Sequence, residues 1–438
     1  MKKGMVIIMK YYIKYYMKYF SFLSALIIIS LIIFTFTACA QEQGEEVKVF
    51  VDGLPVSTDV QPVIQNARTL VPFRTIAEAL NIKVSWESAA QTVEASDGET
   101  LIRLQINNKN AWRNGQNVPV DVPPVIIAGR TLIPLRFFSE AFNCDVLWDA
   151  DTYRVDIISC PKEMNVIGFY ALGDSKTSSW TNLFRKAYPE TGTGNTDVVD
   201  ALALGWYSLD ERGNLLTWSE TGWQRPAGWE NVLRAAEEYS LKTEMTVHAT
   251  DRYGTLSSLL ADKAASAGLI EALVEEAALY GGVNLNFEEF GYTGSSDEFS
   301  NDLINKRQLL NEFVRRLSAE LKTAGKSLTL TIHPPNSVYR GYDYGVLGEI
   351  ADRIILMAYD YGPKPEPLNL VAQAAEMAGE VVPPYKLVLG ICAPYETAES
   401  IVEKIGAARR FNLQGVAIWR LGLVSQEMWQ SFRDKLSK

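Results

Sequence analysis

The chain is 438 residues long, too many for a single ordinary core, so two or three domains are expected. The formal net charge is -10, and residues 1–38 hold five lysines and no acidic residue, so the remaining chain carries -15. A body this acidic argues against nucleic acid or anionic headgroups as partners and is compatible with neutral polysaccharide. The only histidines are His248 and His333, which excludes a histidine-rich metal site, and no cofactor is predicted.

The N-terminal segment, residues 1–38, has the layout of an export signal, with basic residues before an apolar run of about 20 residues. Such a run is long enough to span a bilayer. It ends in Thr37-Ala38-Cys39, which resembles a bacterial lipobox and implies that Cys39 becomes the lipidated mature N-terminus. The alternative is an uncleaved membrane anchor. Both interpretations place residues 40–438 outside the cytoplasmic membrane.

Residues 40–160 contain two copies of one sequence unit, offset by 62 residues. The matching segments include Arg68-Thr69-Leu70-Val71-Pro72 with Arg130-Thr131-Leu132-Ile133-Pro134, Glu78 with Glu140, and Trp86 with Trp148. A fixed offset indicates two copies of one supersecondary unit. Each copy is predicted to form a strand, a short helix (74–80 and 136–142) and a strand hairpin.

This repeat resembles the copper amine oxidase N-terminal domain, a stalk domain of surface proteins in Gram-positive bacteria, over about residues 47–158. The name does not imply copper here, because the segment contains no histidine. We expect a structural role or a weak contact with the wall. Its arginines are expected to pair with turn carbonyls and with the repeated Glu78 and Glu140.

Two cysteines, Cys144 and Cys160, lie on the two arms of the second hairpin. A turn near residues 151–152 would place them opposite each other, at a cross-strand distance that permits a disulfide with some adjustment. An exported domain would experience oxidising conditions. A disulfide and two free thiols both remain open.

From residue 164 to 438 the pattern changes to short apolar runs that alternate with amphipathic stretches, which is typical of a parallel α/β fold. The predicted strands are 165–170, 198–206, 242–248, 282–288, 327–333, 353–359, 386–391 and 415–419. Predicted helices include 266–280, 302–324 and 398–411. Eight strand–helix pairs predict a closed (β/α)8 TIM barrel, with a doubly wound open sheet as the alternative.

Polar and aromatic residues gather where these predicted strands end, which is the face that carries the chemistry of such barrels. Tyr170 ends the first strand and Tyr395 follows the seventh, and we expect both rings to contact a substrate. Aromatic rings suit sugars, whose C–H faces stack on them.

The fourth predicted strand carries the strongest chemical signal. Alternate residues of a strand share a face, so Asn284, Asn286 and Glu288 should all point into the barrel. A row of polar groups inside a barrel is costly unless they are hydrogen-bonded or used. Glu288 ends the strand, where a ligand can reach it, and is the candidate general acid.

This strand resembles the Asp-Gly-φ-Asp-φ-Asp-φ-Glu motif of the family 18 glycoside hydrolases, the chitinase family, where φ is apolar or aromatic. Further matches are residues 356–361, with Tyr359 and Asp360, and residues 415–420, with Trp419. The resemblance covers residues 164–435 and is strongest to the spore-cortex and wall-associated branch. It implies a polysaccharide substrate that contains N-acetylglucosamine.

The resemblance also implies roles in substrate-assisted, retaining catalysis. The acetamido oxygen of the sugar attacks its own anomeric carbon, and Glu288 protonates the leaving oxygen and then activates water. Tyr359 would hydrogen-bond the acetamido oxygen and Trp419 would stack beneath the sugar. Asp360 would support the acetamido group, and Asn284 would line the substrate site.

The chain departs from the motif at the assisting aspartate, which is Asn286. Asn286 can accept a hydrogen bond but carries no charge, which weakens stabilisation of a cationic intermediate. Without a neighbouring carboxylate, Glu288 is also expected to be a stronger acid. The site is therefore either an active variant, as in the family 85 enzymes with their similar Asn-x-Glu pair, or a glycan-binding barrel that has lost catalysis.

Overall fold

The structure is a computed structural model that describes residues 46–171, 176–219, 224–294 and 300–437. The predicted signal segment 1–38 and Cys39 lie outside these residues. Within the described ranges, no helix combines the length and the apolar character needed to cross a membrane.

The repeat domain consists of short strands and two short helices. The strands are β1 (Lys48–Val51), β2 (Leu54–Pro55), β3 (Val63–Gln65), β4 (Arg68–Pro72), β5 (Lys83–Glu87), β6 (Thr92–Ser96), β7 (Leu101–Gln105), β8 (Asn110–Arg113), β9 (Gln116–Pro119), β10 (Val125–Ile127), β11 (Arg130–Pro134), β12 (Asp145–Asp149) and β13 (Arg154–Ile158). The helices are α1 (Phe73–Ala79) and α2 (Leu135–Ala141). Both helices lie within one residue of the segments expected from the repeat.

The two copies of the repeat meet at β4 and β11, which pair antiparallel at the centre of a four-stranded sheet ordered β10-β11-β4-β3. Because equivalent strands pair antiparallel, the copies are related by an approximate two-fold axis. The first residue of each of these two strands is an arginine that pairs with an aspartate of the other copy. Arg68 of β4 lies 2.7 Å from Asp121, and Arg130 of β11 lies 2.5 Å from Asp59. These two ion pairs connect the copies across the axis.

The expected partners of these two arginines are therefore wrong in part. Arg68 donates to the carbonyl of Ala67 in the turn, as expected. In the part of the chain that the structure describes, however, Arg68 and Arg130 take aspartates as ion-pair partners rather than Glu78 and Glu140. Sequence spacing within one copy cannot reveal a partner that the other copy supplies.

The two cysteines of the second hairpin are free thiols, Cys144 buried and Cys160 exposed. The hairpin register pairs Asp145 with Ile158, so the residue opposite Cys144 is Ser159 rather than Cys160. Burial raises the pKa of the Cys144 thiol to about 12, while the backbone N–H of Cys160 donates to it. The possible disulfide between them is thus not present.

The second domain contains eight parallel strands that close into a barrel. The barrel strands are β15 (Asn165–Tyr170), β16 (Ala201–Leu209), β18 (Lys242–Thr250), β19 (Gly282–Glu288), β20 (Ser327–Ile332), β21 (Arg353–Leu356), β22 (Leu387–Cys392) and β23 (Gly415–Trp419), with short strands β14 (Lys162–Glu163), β17 (Leu215–Leu216) and β24 (Leu436–Ser437) beside them. Strand β15 pairs with both β23 and β16, which closes the sheet. The predicted TIM barrel is confirmed, and the open sheet considered as an alternative is wrong.

Helices surround the barrel and bury its outward-facing apolar residues. They are α3 (Ser179–Phe184), α4 (Trp229–Glu238), α5 (Thr255–Ala261), α6 (Lys263–Glu276), α7 (Asn301–Thr323), α8 (Tyr344–Ile350), α9 (Leu368–Gly379), α10 (Ala398–Arg410) and α11 (Gln426–Lys435). Ser300 caps α7 and Thr397 caps α10 by accepting a backbone N–H of the first turn. These caps fix where the helices begin after the strand-end loops.

The repeat domain packs against α10 of the barrel. Arg409, which is buried there, donates to the carbonyl and hydroxyl oxygens of Ser159 and lies 3.8 Å from Asp52. In return, the side-chain amide of Asn81 donates to the carbonyl of Arg409 at 2.8 Å. One barrel helix thus contacts residues of the first copy and the residue that follows the last strand of the second copy.

Candidate active site

Strand β19 places Asn284, Asn286 and Glu288 on one face, because side chains alternate along a strand. The intervening Phe287 points outward, where its ring lies 6.1 Å from that of Phe313 on α7. Glu288 ends the strand and its side chain is 26% exposed. The expected general acid is therefore reachable from solvent at the C-terminal mouth of the barrel.

The carboxyl of Glu288 is a weak acid in this setting. Burial raises its pKa to about 7, hydrogen bonding from Asn286 opposes the rise, and the carboxylates of Glu289 and Asp360 add to it. Desolvation therefore dominates the pKa of Glu288, and the expectation that the carboxyl is a stronger acid than it would be beside the motif aspartate stays a prediction. A pKa this close to neutral keeps a protonated form of Glu288 available as a proton donor at neutral pH.

His248 of the neighbouring strand β18 lies beside this carboxyl, with Nε2 3.8 Å from Oε1 of Glu288. Burial lowers the pKa of His248 to about 4, against a small opposing effect of Glu289. The imidazole is therefore neutral at neutral pH and does not form an ion pair with Glu288. Burial lowers the pKa of His333 to about 4 in the same way.

Asn286 is almost fully buried, and its amide contacts one residue of β20 and the residue that follows β21. Its Nδ2 donates to the carbonyl of Thr331 at 3.4 Å and lies 3.6 Å from the sulfur of Met357. The same residue hydrogen-bonds the carboxyl of Glu288. Asn286 thus restrains the Glu288 side chain from the interior side of the barrel.

Asn284 lies deeper and is fully buried, so it cannot contact a substrate. Its amide nitrogen lies 3.3 Å from Glu244, and its oxygen accepts from the hydroxyl of Thr331 at 2.8 Å. Arg353 pairs with Glu244 at 3.2 Å in the same network. The expected role of Asn284 in substrate binding is corrected to a structural one in the barrel interior.

Glu289, directly after the acid, faces away from it. Hydrogen bonds from Arg252 at 2.6 Å and from Thr250 at 3.0 Å hold its side chain, and the first of these contributes most to keeping the pKa of Glu289 below its usual range. The positive φ of 57° at Glu289 turns the chain out of the strand. Only one of the two adjacent carboxyls is therefore available as a proton donor.

The loop after β21 brings Tyr359 and Asp360 to the same mouth. Burial raises the pKa of Tyr359 well above its ordinary value, and the nearby Glu288 carboxylate adds to this. Asp360 is largely exposed, has a positive φ of 68° and interacts with Tyr395 through a hydrogen bond. Tyr359, Asp360, Tyr395 and Glu288 therefore form one cluster.

Glu366 holds this loop, a role that the sequence did not reveal. Its buried carboxylate accepts the backbone N–H of Asp360 at 2.8 Å and that of Tyr361 at 3.1 Å. Lys364 pairs with the same carboxylate and places its ammonium 3.2 Å from the ring centre of Tyr395. The signal was weak because Glu366 lies in a loop without periodicity.

Trp419 ends β23 and lines the interior of the barrel mouth. Its ring meets that of Phe169 edge to face, with centroids 5.3 Å apart. Tyr170, the next residue, points the other way and is only 5% exposed, with its ring 6.3 Å from that of Trp206. Strand alternation therefore gives the interior position to Phe169, and the expected substrate contact of Tyr170 is wrong.

Comparison with known proteins gives matches to both domains. Residues 50–157 match the model of the copper amine oxidase N-terminal domain. This segment has no histidine and one cysteine, Cys144, so its residues do not fit a copper site. Among the described residues of the whole chain, no group of three or more His, Cys, Asp or Glu side chains is placed to hold a metal ion.

Two curated relatives come from Bacillus subtilis strain 168. A protein described as a sporulation-specific glycosylase, YdhD, is 30% identical over 122 residues, which are 26% of this chain and 26% of the relative. The cortical fragment-lytic enzyme is 22% identical over 249 residues, which are 41% of this chain and 56% of the relative. The chain thus matches about a quarter and about half of these relatives' lengths.

Among solved structures, the class V chitinase of Pseudomonas fluorescens Pf-5 is similar with a TM-score of 0.51 and 19% identity, covering 63% of this chain and 100% of the chitinase. At this identity the likeness shows the fold. The second domain is therefore a (β/α)8 barrel with the fold of that chitinase, and it is preceded by a smaller domain. By their names, the two curated relatives are a sporulation-specific glycosylase and an enzyme that lyses cortical fragments.

Proposed function

We propose that the barrel is a glycosidase that hydrolyses β-linked N-acetylglucosamine-containing glycans, either peptidoglycan or a chitin-like polymer. The observation that carries the proposal is the partly exposed carboxyl of Glu288, with a pKa of about 7, beside Tyr359 and Asp360. A general acid works best when its pKa lies near the working pH. The fold shared with a chitinase and the names of the curated relatives support the same reaction class.

The reaction is retaining and substrate-assisted. The acetamido oxygen of the bound sugar attacks its own anomeric carbon, the glycosidic bond breaks, and the leaving oxygen takes the proton of Glu288. The resulting carboxylate then removes a proton from water, which adds to the same carbon as the oxazolinium ring opens. One carboxyl therefore serves first as acid and then as base, unlike the two-carboxylate scheme of most glycosidases.

The surrounding side chains position the sugar. The hydroxyl of Tyr359 donates to the acetamido oxygen, which its strongly raised pKa permits because the phenol stays protonated. Trp419 stacks beneath the sugar at the cleaved bond, and Tyr395 borders the site. Asp360 provides the negative charge that Asn286 lacks, because its carboxylate acts electrostatically on Glu288.

A glycan-binding barrel without turnover is the second candidate function. The observation that favours it is Asn286, whose amide is engaged by the carbonyl of Thr331 and by Glu288 and adds no charge to the site. In this case the cleft would hold the same glycan, and Glu288 would act as a hydrogen-bond partner only.

Reducing ends released from N-acetylglucosamine oligomers, chitin and peptidoglycan by residues 46–438 separate the two functions. The glycosidase predicts release between pH 4 and 8 that Glu288→Gln abolishes while glycan binding persists. Glu289→Gln is the matched control, because this adjacent carboxyl is committed to Arg252. Binding without release by the parent protein would favour the lectin-like function.

We further propose that residues 40–160 act as a stalk that carries the barrel of residues 164–438 at the outer face of the cytoplasmic membrane. The export signal and the lipobox-like Cys39 support this location. Palmitate labelling in a Gram-positive host tests it: the parent chain should incorporate label and Cys39→Ser should not. Label on neither chain, with both in the membrane fraction, would instead support the uncleaved anchor.

A further inference from the structure

The repeat domain contains a groove of about 670 Å³. All of its lining residues lie between positions 59 and 131, so no residue of the barrel contributes to it. This volume lies within the range of sites that bind small ligands. The groove lies between helix α1 with strands β5 and β6 of the first copy on one side, and β10 and β11 of the second copy on the other. Both copies of the repeat are therefore needed to form it.

The lining combines an apolar platform with paired charges. Trp86 is 38% exposed and Ile126 is 46% exposed. Around them stand Arg74 and Glu78, together with the ion pair of Arg130 and Asp59. The formal charges of the groove sum to zero.

The approximate two-fold axis predicts a second groove of the same composition. Thirteen residues line the first groove, and ten of them are identical at the position 62 residues away in the other copy. The exceptions are Phe73 with Leu135, Thr75 with Phe137, and Gly129 with Ala67. The equivalent ion pair, Arg68 with Asp121, is present as well.

The exposed apolar members of the groove are the same in both copies. Trp148 and Ile64, the equivalents of Trp86 and Ile126, are 43% and 50% exposed. Buried positions are mixed: Leu70 and Val93 are matched by Leu132 and Val155, whereas Ile82 corresponds to Cys144 and Ala95 to Ile157. Packing constrains buried positions, so identity that persists at exposed ones points to a contact outside the domain.

We propose that the repeat domain holds two equivalent binding grooves for a neutral glycan chain. An indole face presented among paired carboxylate and guanidinium groups matches a pyranose ring, which offers C–H groups to the aromatic ring and hydroxyls to the polar groups. The zero net charge of the groove and the acidic body of the chain disfavour anionic polymers. This proposal stands whether or not the barrel cleaves glycans.

The test measures binding of residues 46–438, in the Glu288→Gln background that prevents turnover, to insoluble chitin and peptidoglycan. Replacing both platform indoles, Trp86→Ala with Trp148→Ala, should weaken binding by about tenfold or more, because two linked sites are lost together. Each single variant should lose less than the pair. The matched control is Leu101→Ser, an exposed apolar residue of the same domain outside the groove lining.

Two further measurements keep the outcome decisive. Thermal unfolding establishes that the variants fold, and Ile64→Ser with Ile126→Ser removes the other half of each platform should the indole variants unfold. Soluble N-acetylglucosamine oligomers should compete with the insoluble glycan, whereas isolated stem peptides should not. Unchanged binding by folded double variants of both kinds, or competition by stem peptides alone, would overturn the proposal.

Discussion

At the scale of single residues, the titration of Glu288 defines the pH dependence of the proposed reaction. The folded-state pKa is about 7, raised above the ordinary value by burial, and the acid step needs the protonated form. Catalytic efficiency, kcat/KM, should therefore fall as the pH rises through about 7. Initial rates on a soluble N-acetylglucosamine oligomer from pH 5 to 9 measure this limb.

A limb near pH 7 is often assigned to histidine, so His248 provides the control. Burial lowers the pKa of His248 to about 4, so this imidazole is already neutral where the limb occurs. The variant His248→Asn should keep the falling limb within about half a pH unit of the parent position. Loss of the limb in this variant would contradict the assignment to Glu288.

Asn286 is the next inward-facing residue before Glu288 on β19, and it affects the pKa of the Glu288 carboxyl. Its amide now hydrogen-bonds Glu288 and lowers the pKa of the carboxyl. Asn286→Asp removes that donor and adds a like charge, so the limb should move to higher pH by about one unit. The added charge should also raise the rate below the limb by up to about a hundredfold, the scale of one electrostatic contact with a transition state.

The matched control for this change is Asn284→Asp, one step deeper on the same face. Asn284 is fully buried next to Glu244, so the new carboxylate should lower stability without moving the limb. A limb that stays in place in Asn286→Asp, or that moves equally in both variants, would show that Asn286 does not act on Glu288 directly.

Strand alternation was enough to predict which residues of β19 face inward, and Asn284, Asn286 and Glu288 lie as expected. The pKa of Glu288 could not be predicted, because it depends on burial by other strands and loops. The same alternation, applied to β15, would have favoured Phe169 over Tyr170 as the interior ring. Whether a residue faces the barrel interior is therefore predicted better by its odd or even position along the strand than by the kinds of residue found near the strand end.

At the scale of elements, strong periodicity located the barrel strands well. Strands β15, β19 and β23 have the predicted bounds, whereas β21 ends at Leu356, three residues earlier than expected. That earlier end frees Tyr359 and Asp360 to form the loop of the site, and no periodic signal marks it. The buried carboxylate that fixes the loop, Glu366, was missed for the same reason.

Glu366 should therefore act as a positioning residue for Tyr359 and Asp360. Glu366→Ala leaves two backbone N–H groups without their acceptor, which costs on the order of 1–3 kcal/mol each when buried. We expect kcat to fall at least tenfold, with partial recovery in Glu366→Gln, which keeps one acceptor oxygen. Steady-state kinetics on a soluble oligomer would measure both variants.

The control for this element is Glu380→Gln, an exposed glutamate at the end of α9. It should leave kcat unchanged. A purely structural role for Glu366 predicts a lower unfolding temperature with unchanged kcat in the folded protein, and that result would contradict the positioning role.

At the scale of the whole molecule, the repeat and the barrel were both predictable, but their contact was not. The offset of 62 residues identified two copies and the alternation of strands and helices identified the barrel. The two-fold pairing of β4 with β11 and the docking onto α10 both join residues far apart in sequence. No local pattern marks Arg409 as the residue that connects the two domains.

Arg409 should couple the unfolding of the two domains. Its buried guanidinium bonds to Ser159 and lies 3.8 Å from Asp52, so Arg409→Met removes the ion-pair partner of a buried carboxylate that keeps only its hydrogen bonds from Ser159 and a longer-range interaction with Arg410. Breaking such a buried pair costs about 3–5 kcal/mol. Calorimetry of residues 46–438 should then show two separate transitions where the parent shows one, and the repeat domain should unfold first.

Arg315→Met, at an exposed i,i+3 pair with Glu312, is the matched control and should keep one transition. A single transition at the parent temperature in Arg409→Met would mean that the apolar packing of β2 on α9 and α10 is sufficient to hold the domains together.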